Sequence, residues 1–190
     1  PGPKVVSFIN AKGGVGKTTM SANIAAAWAV EMGMRVLQVD LDPQGSASNY
    51  LLASSDGGEG LMEAMERASG PHPVAPDIYE AEAGFDVIPG GAALESLERV
   101  SRSYAEFMLS ELFEVLELDY DAVVRDCPPS MARATMNALT ASDAAVIVTN
   151  PDGMANAGLY RVLDDAARIE RHNPGFCVAG IVITRVDRTV

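Results

Sequence analysis

Cysteine is nearly absent. Only Cys127 and Cys177 occur in the 190-residue chain, far apart and outside any metal-ligand spacing. A disulfide framework and a zinc site are therefore excluded as organising features, and the pair reads as small buried residues of a reduced, cytoplasmic protein. Long apolar runs are missing as well. Stretches such as "AAVIV" (144–148) and "GIVI" (180–183) are far shorter than the ~18 residues that would mark a membrane span. The first residues carry no charged-then-apolar secretory pattern. Basic residues are scarce: 14 Lys and Arg stand against 26 Asp and Glu, for a net charge of −12. An acidic body of this kind argues against a broad nucleic-acid surface.

What is present is a globular composition. Apolar residues make up 48% of the chain, too many for a disordered segment, and the length suits one domain, 1–190, with a sizeable core. The charge is uneven. Residues 1–150 carry the whole excess of 12 negative charges, whereas 151–190 hold five basic and five acidic side chains. Arginine outnumbers lysine eleven to three. Arg is the better phosphate fork, but genomic base composition alone accounts for such a bias.

Short, near-continuously apolar segments alternate with helical ones. "KVVSFIN" (4–10), "RVLQVDLD" (35–42), "DAVVRD" (121–126), "AAVIVTN" (144–150) and "FCVAGIVIT" (176–184) read as strands, with "FDVIPG" (85–90) a weaker sixth. Helices are expected over 18–33, 92–117, 131–141 and 155–172. Strand-helix alternation with buried strands predicts an α/β fold, a mostly parallel twisted sheet with helices on both faces. The Gly-, Pro- and acid-rich region 53–84 reads as a surface excursion with one short helix around 60–68. No repeat or linker divides the chain.

The densest signal is "NAKGGVGKTT" (10–19), set between the first strand and first helix. A phosphate loop needs a turn without side-chain bulk, so that backbone N–H groups converge on oxygens at a helix N-terminus. Gly13, Gly14 and Gly16 supply the turn, with Val15 between them. Lys17 supplies charge for the outer phosphates, Thr18 a hydroxyl for Mg²⁺ and Thr19 a further phosphate contact. Ala11 stands where the usual pattern begins with glycine, and a second lysine, Lys12, follows it. Carboxylates at strand ends can hold the waters that Mg²⁺ keeps. Asp126 ends one strand, and Asp40 and Asp42, two residues apart, share a face at the end of another.

"KGGVGKTT" resembles the deviant phosphate loop of the ParA/MinD-type ATPases. The segments "DLDPQGSAS" (40–48), "VVRDCPPS" (123–130), "PDGMANAGL" (151–159) and "GIVITRVDRT" (180–189) agree in order and spacing, nearest to the ParA branch that partitions plasmids and chromosomes. The resemblance implies that two subunits close over two ATP molecules with Mg²⁺, and that Lys12 reaches the partner's nucleotide. It implies Lys12, Lys17 and Asp42 as catalytic residues, with Asp42 positioning or deprotonating the attacking water. Residues Lys12 to Thr19 would bind ATP, and Thr18, Asp40 and Asp126 would serve Mg²⁺, Asp40 from the outer shell. It further implies a homodimer on non-specific DNA at the nucleoid, a stimulating ParB-like or adaptor protein, and no membrane partner.

Two features depart from the family pattern. Arg125 places a charge where an apolar residue usually precedes the strand-ending aspartate, a costly burial unless the charge is paired, solvated or coupled to Asp126. The sequence also stops at Val190, where ParA proteins continue into elements that complete the adenine pocket and DNA surface. DNA contacts are expected from Arg161, Arg185 and Arg188, with Arg168 and Arg171 beside them. The main alternative is a MinD-like membrane-cycling ATPase, which needs a C-terminal amphipathic helix that is not visible here. An iron–sulfur reductase is disfavoured by the context of Cys127 and Cys177. A non-catalytic scaffold is opposed by Lys17, Thr18, Asp42 and Asp126.

Overall fold

The computed structural model describes the chain except residues 1, 11, 56, 102, 104, 117, 152–154 and 187–190, and the side chains of 155–157. Its elements in chain order are β1 (Lys4–Ile9), α1 (Lys17–Val30), β2 (Val36–Asp40), α2 (Ser46–Leu51), α3 (Glu59–Arg67), β3 (Tyr79–Glu80), β4 (Asp86–Ile88), α4 (Met108–Val115), β5 (Ala122–Asp126), α5 (Arg133–Thr140), β6 (Ala144–Thr149), α6 (Ala155–His172) and β7 (Cys177–Ile183). The seven strands form one sheet in the order β3-β4-β2-β5-β1-β6-β7. All described pairings are parallel except that of β3 with β4. The expected α/β fold is the observed one.

The two faces of the sheet have separate cores because successive strand residues point to opposite sides. Leu37, Val39, Val123 and Ile147 pack with α3, α4, α5 and α6. Phe8, Val36, Val124 and Val148 pack beneath α1. β2 and β5 are buried along their whole length, which explains their mainly apolar sequence, broken only by Gln38 and Arg125 and by the aspartates that end them. At the sheet's edge β7 is covered on one side only: Ile181 and Ile183 are exposed, and so is Cys177, in contrast to the expectation of two buried cysteines. Cys127 is buried, and that burial pushes its thiol up to about 12, leaving it inert.

The region 53–84 is more than a surface excursion. Helix α3 buries Leu61, Met62, Ala64 and Met65 in the main core, and β3 closes one edge of the sheet. The expected helix 92–117 is broken into 3₁₀ turns at Ala92–Arg99 and Ala105–Phe107 followed by α4. Short 3₁₀ segments accommodate a change of direction that a continuous helix would not allow. Helix α2 was not anticipated; its six residues carry little periodic signal.

Candidate functional site

The phosphate loop leaves the carboxyl end of β1, where open parallel sheets place their ligand crevices. Gly16 takes a left-handed φ of 88°, a conformation that glycine alone adopts without penalty, and forms the N-cap of α1. Among the described residues no side chain caps that helix, and no acidic residue stands in its first turn. Its leading N–H groups and positive dipole end therefore suit an anion. Gly13, Gly14, Val15, Gly16, Lys17, Thr18 and Thr19 line a cleft of about 430 Å³, with Asp42, Gln44 and Ser46 from the β2–α2 loop and Pro129 and Arg185 on other walls.

Lys17 is buried and its Nζ lies 2.6 Å from Asp126 Oδ1. Thr18 Oγ1 donates to Asp126 Oδ2, also at 2.6 Å. Burial pushes the Asp126 carboxyl upward, and Lys17 and Thr18 oppose that push. Asp40 is the register partner of Asp126 on the adjacent strand, so two carboxylates stand side by side at the sheet's carboxyl edge. The Thr18 hydroxyl and Asp126 carboxylate form a cluster of oxygen donors, the chemistry a hard divalent cation requires.

Asp40 sits behind the cleft. Its Oδ2 accepts the Ser48 N–H at 2.8 Å and the Ser48 hydroxyl at 2.7 Å, and its Oδ1 accepts the Asp42 N–H at 3.0 Å. It does not line the cleft. Burial raises its carboxyl to about 6 despite these donors. The Ser48 hydroxyl in turn accepts the Gly90 N–H at 2.9 Å, latching β2 to the end of β4. A side chain at Gly90 is impossible without rearrangement, since its Cβ would lie 2.6 Å from the Asp40 carbonyl oxygen. The latch fixes the loop that carries Asp42, which reaches the cleft and accepts the Gln44 N–H at 2.9 Å.

Arg125 resolves into a helix cap. Strand alternation puts it on the face opposite Asp126, fully buried. Its Nη1 donates to the Ala138 carbonyl at 3.0 Å and to the Ala141 carbonyl, and reaches Ser142 Oγ at 3.4 Å. The guanidinium stacks 4.7 Å from the centre of the Phe113 ring. A cation at the carboxyl end of α5 complements that helix's dipole. Arg125 therefore ties α4 and α5 to β5.

The remaining expected residues divide. Lys12 is exposed and absent from the cleft lining of its own chain, while its backbone carbonyl accepts the Asn10 side-chain amide. Arg161 is exposed on α6 beside Arg168 and Arg171. Arg168 pairs with Asp165 at 3.4 Å. Arg185 lines the nucleotide-sized cleft and holds a left-handed φ of 53°. Arg188 lies outside the described residues. Sequence reasoning missed Ser48, Gly90 and Thr184. Thr184 Oγ1 lies 2.6 Å from the Val15 carbonyl and 3.1 Å from that of Thr149, tying β7 to the phosphate loop. Only the placement of Thr184 at a strand's end offered any signal.

A glycine turn at a helix N-terminus, with a buried lysine and carboxylate at the carboxyl edge of a parallel sheet, defines a phosphate-loop nucleotide hydrolase. The AAA domain family (AAA_31) matches residues 3–176. The sporulation initiation inhibitor protein Soj of Bacillus subtilis is 35% identical, covering 97% of this chain and 73% of its own length. The chromosome partitioning protein ParA of Myxococcus xanthus is 32% identical, covering 97% and 65%. Among solved structures, cobyrinic acid a,c-diamide synthase from Mycobacterium smegmatis, with bound ATP analog and magnesium, superposes with a TM-score of 0.89 at 30% identity, covering all of this chain and 78% of that one. A plasmid partition protein from Borrelia burgdorferi superposes at 0.80 with 25% identity, covering all of this chain and 82% of that one. The chain belongs to the ParA/MinD-type ATPases of the AAA domain family. It is an ATPase whose cofactors are ATP and Mg²⁺. It spans about two thirds to three quarters of the length of these sequence relatives.

Proposed function

We propose that the chain works as an ATP-closed dimer that binds DNA without sequence preference and positions DNA or another cargo, releasing it when a partner protein stimulates hydrolysis. The proposed setting is the cytoplasm, at the nucleoid. The observation that carries this reading is the contrast between the two lysines. Lys17 is turned inward onto Asp126 and lines the cleft, whereas Lys12 is exposed and lies outside the lining of its own cleft. A second subunit facing the loop would bring its own Lys12 to the nucleotide held here. The names of the Soj, ParA and plasmid partition relatives support the cargo side of the proposal.

In this mechanism the N–H groups from Gly13 to Thr19 and the dipole of α1 hold the phosphates. Lys17 neutralises the outer phosphates while keeping its contact with Asp126. Thr18, with Asp126 behind it, would hold Mg²⁺, which would supply positive charge against the phosphates. Asp42, at the cleft wall, orients and accepts a proton from the attacking water. Its position is set by the Asp40–Ser48 latch. Lys12, given in trans, offsets charge on the transferred phosphoryl group.

Light scattering with ATP, ADP or no nucleotide tests the dimer. ATP with Mg²⁺ should drive dimerisation and ADP should not, and Lys12→Ala should bind nucleotide yet stay monomeric. A Lys12→Ala protein that dimerises normally with ATP would overturn the trans role.

A further inference from the structure

The face of the sheet opposite the nucleotide cleft holds a second cleft, of about 370 Å³. Val5, Val123, Phe113, Leu116 and Leu118 make its walls apolar, and Arg125 is its buried cation. Burial lowers the guanidinium's pKa to about 10, so it keeps its charge at neutral pH. Nη1 carries every hydrogen bond that Arg125 makes among the described residues. Nε is buried without an acceptor among those residues, and Asp143 acts on the group through space without an ion pair among them. The edge left over is the one on which Nε–H and Nη2–H point the same way. That fork matches the spacing of two carboxylate oxygens. With only the through-space pull of Asp143 and the Phe113 ring to balance it, this buried charge is costly, and a bound anion would offset the cost.

We propose that this cleft binds a small monocarboxylate with an apolar body, its two oxygens on the Nε/Nη2 edge of Arg125 and its body against Phe113, Leu116, Leu118, Val5 and Val123. The volume falls within the range of about 300–1,000 Å³ in which small-molecule sites occur. Glu114, exposed where it lines this cleft, repels any anion and a dianion such as a phosphate ester more than a monoanion. The site is distinct from the nucleotide cleft, because Arg125 and Asp126 point to opposite faces of β5. Arg125 also caps α5, which follows the Asp126–Ala132 segment, so an occupant bears on the segment that leads out of the hydrolytic site.

Amide NMR titration and calorimetry with hexanoate, hexan-1-ol and inorganic phosphate test the proposal. Hexanoate should bind saturably and shift the amides of Phe113, Leu116 and Val123. Hexan-1-ol should bind at least about tenfold more weakly, since it cannot engage the charged fork, and phosphate should leave those amides unmoved. Arg125→Met should weaken hexanoate binding at least about tenfold. Leu116→Trp fills the cleft with Arg125 in place and should abolish binding, which keeps the proposal falsifiable if Arg125→Met does not fold. Equal binding of hexanoate and hexan-1-ol, shifts confined to Gly13–Thr19, or undiminished binding by Leu116→Trp would each overturn it.

Discussion

Replacing Ser48 by alanine removes two hydrogen bonds from the latch beneath the hydrolytic loop. The hydroxyl donates to Asp40 at 2.7 Å and accepts the Gly90 N–H at 2.9 Å. A bond to a charged group contributes about 1.5–3 kcal/mol, and a buried N–H left without an acceptor costs about 1–3 kcal/mol. The two effects share one atom and overlap, so the expected loss is about 2–4 kcal/mol. Little relaxation can recover it, because Gly90 already sits against the Asp40 backbone. The Asp40 carboxyl, raised to about 6 by burial, should rise further without the Ser48 hydroxyl that holds it down. Urea unfolding of the nucleotide-free protein at neutral pH, with the slope unchanged, measures the loss. Ser46→Ala, at the cleft wall two residues away, serves as the control and should cost less than about 0.5 kcal/mol. A Ser48→Ala loss no larger than that of Ser46→Ala would refute the latch.

Asp42→Ala should slow single-turnover hydrolysis by roughly 10²–10⁴-fold and prolong the ATP-bound dimer, because the phosphate cradle is untouched; unchanged single-turnover kinetics would assign Asp42 to the Gln44 turn alone. The folded state raises the Asp40 carboxyl from 3.8 to about 6, so it favours the protonated form. The resulting stability is present below pH 4 and lost as pH rises through 6, up to about 3 kcal/mol at ~1.4 kcal/mol per unit. Urea midpoints of the nucleotide-free protein should therefore rise from pH 7 to 5, and Asp40→Asn should flatten that rise. DNA affinity should appear only with ATP and fall with salt by roughly 0.9 log units per phosphate contact per decade. Arg161→Ala and Arg188→Ala should each flatten that slope by about one unit, whereas Arg185→Ala should weaken nucleotide binding instead.

The phosphate loop was legible because its requirements are local: glycines, a lysine and hydroxyls within one turn. The strands were legible because those buried on both faces are mainly apolar, as in β2 and β5 apart from Gln38, Arg125 and their terminal aspartates. Long-range geometry was not. Ser48 meets Gly90 across 42 positions, and neither residue type signals the other. Arg125 looked like a fault in a buried strand until the end of α5 supplied its acceptors. The order of Asp40 and Asp42 was readable, but which of them reaches the cleft depends on how the loop turns after β2. The region 53–84 looked polar by composition, yet one amphipathic helix, α3, carries four buried residues into the core.

The account rests most on Lys12 acting across a dimer, and mixing two inactive variants tests this directly. Lys12→Ala keeps Asp42, and Asp42→Ala keeps Lys12. If Lys12 acts in trans, a mixed dimer holds one site with its own Asp42 and the partner's lysine. Equimolar mixing should then raise ATP hydrolysis above the average of the two variants alone, towards a ceiling of roughly a quarter of the wild-type rate that random pairing would give. The failure of Lys12→Ala to pair with itself and the long-lived Asp42→Ala dimer hold the rate below that ceiling, so an excess of Lys12→Ala should raise it further. Turnover no higher than the average of the two variants alone, in a mixture where pull-down of differently tagged subunits shows mixed dimers, would place Lys12 in its own site, or outside the chemistry, and contradict the account.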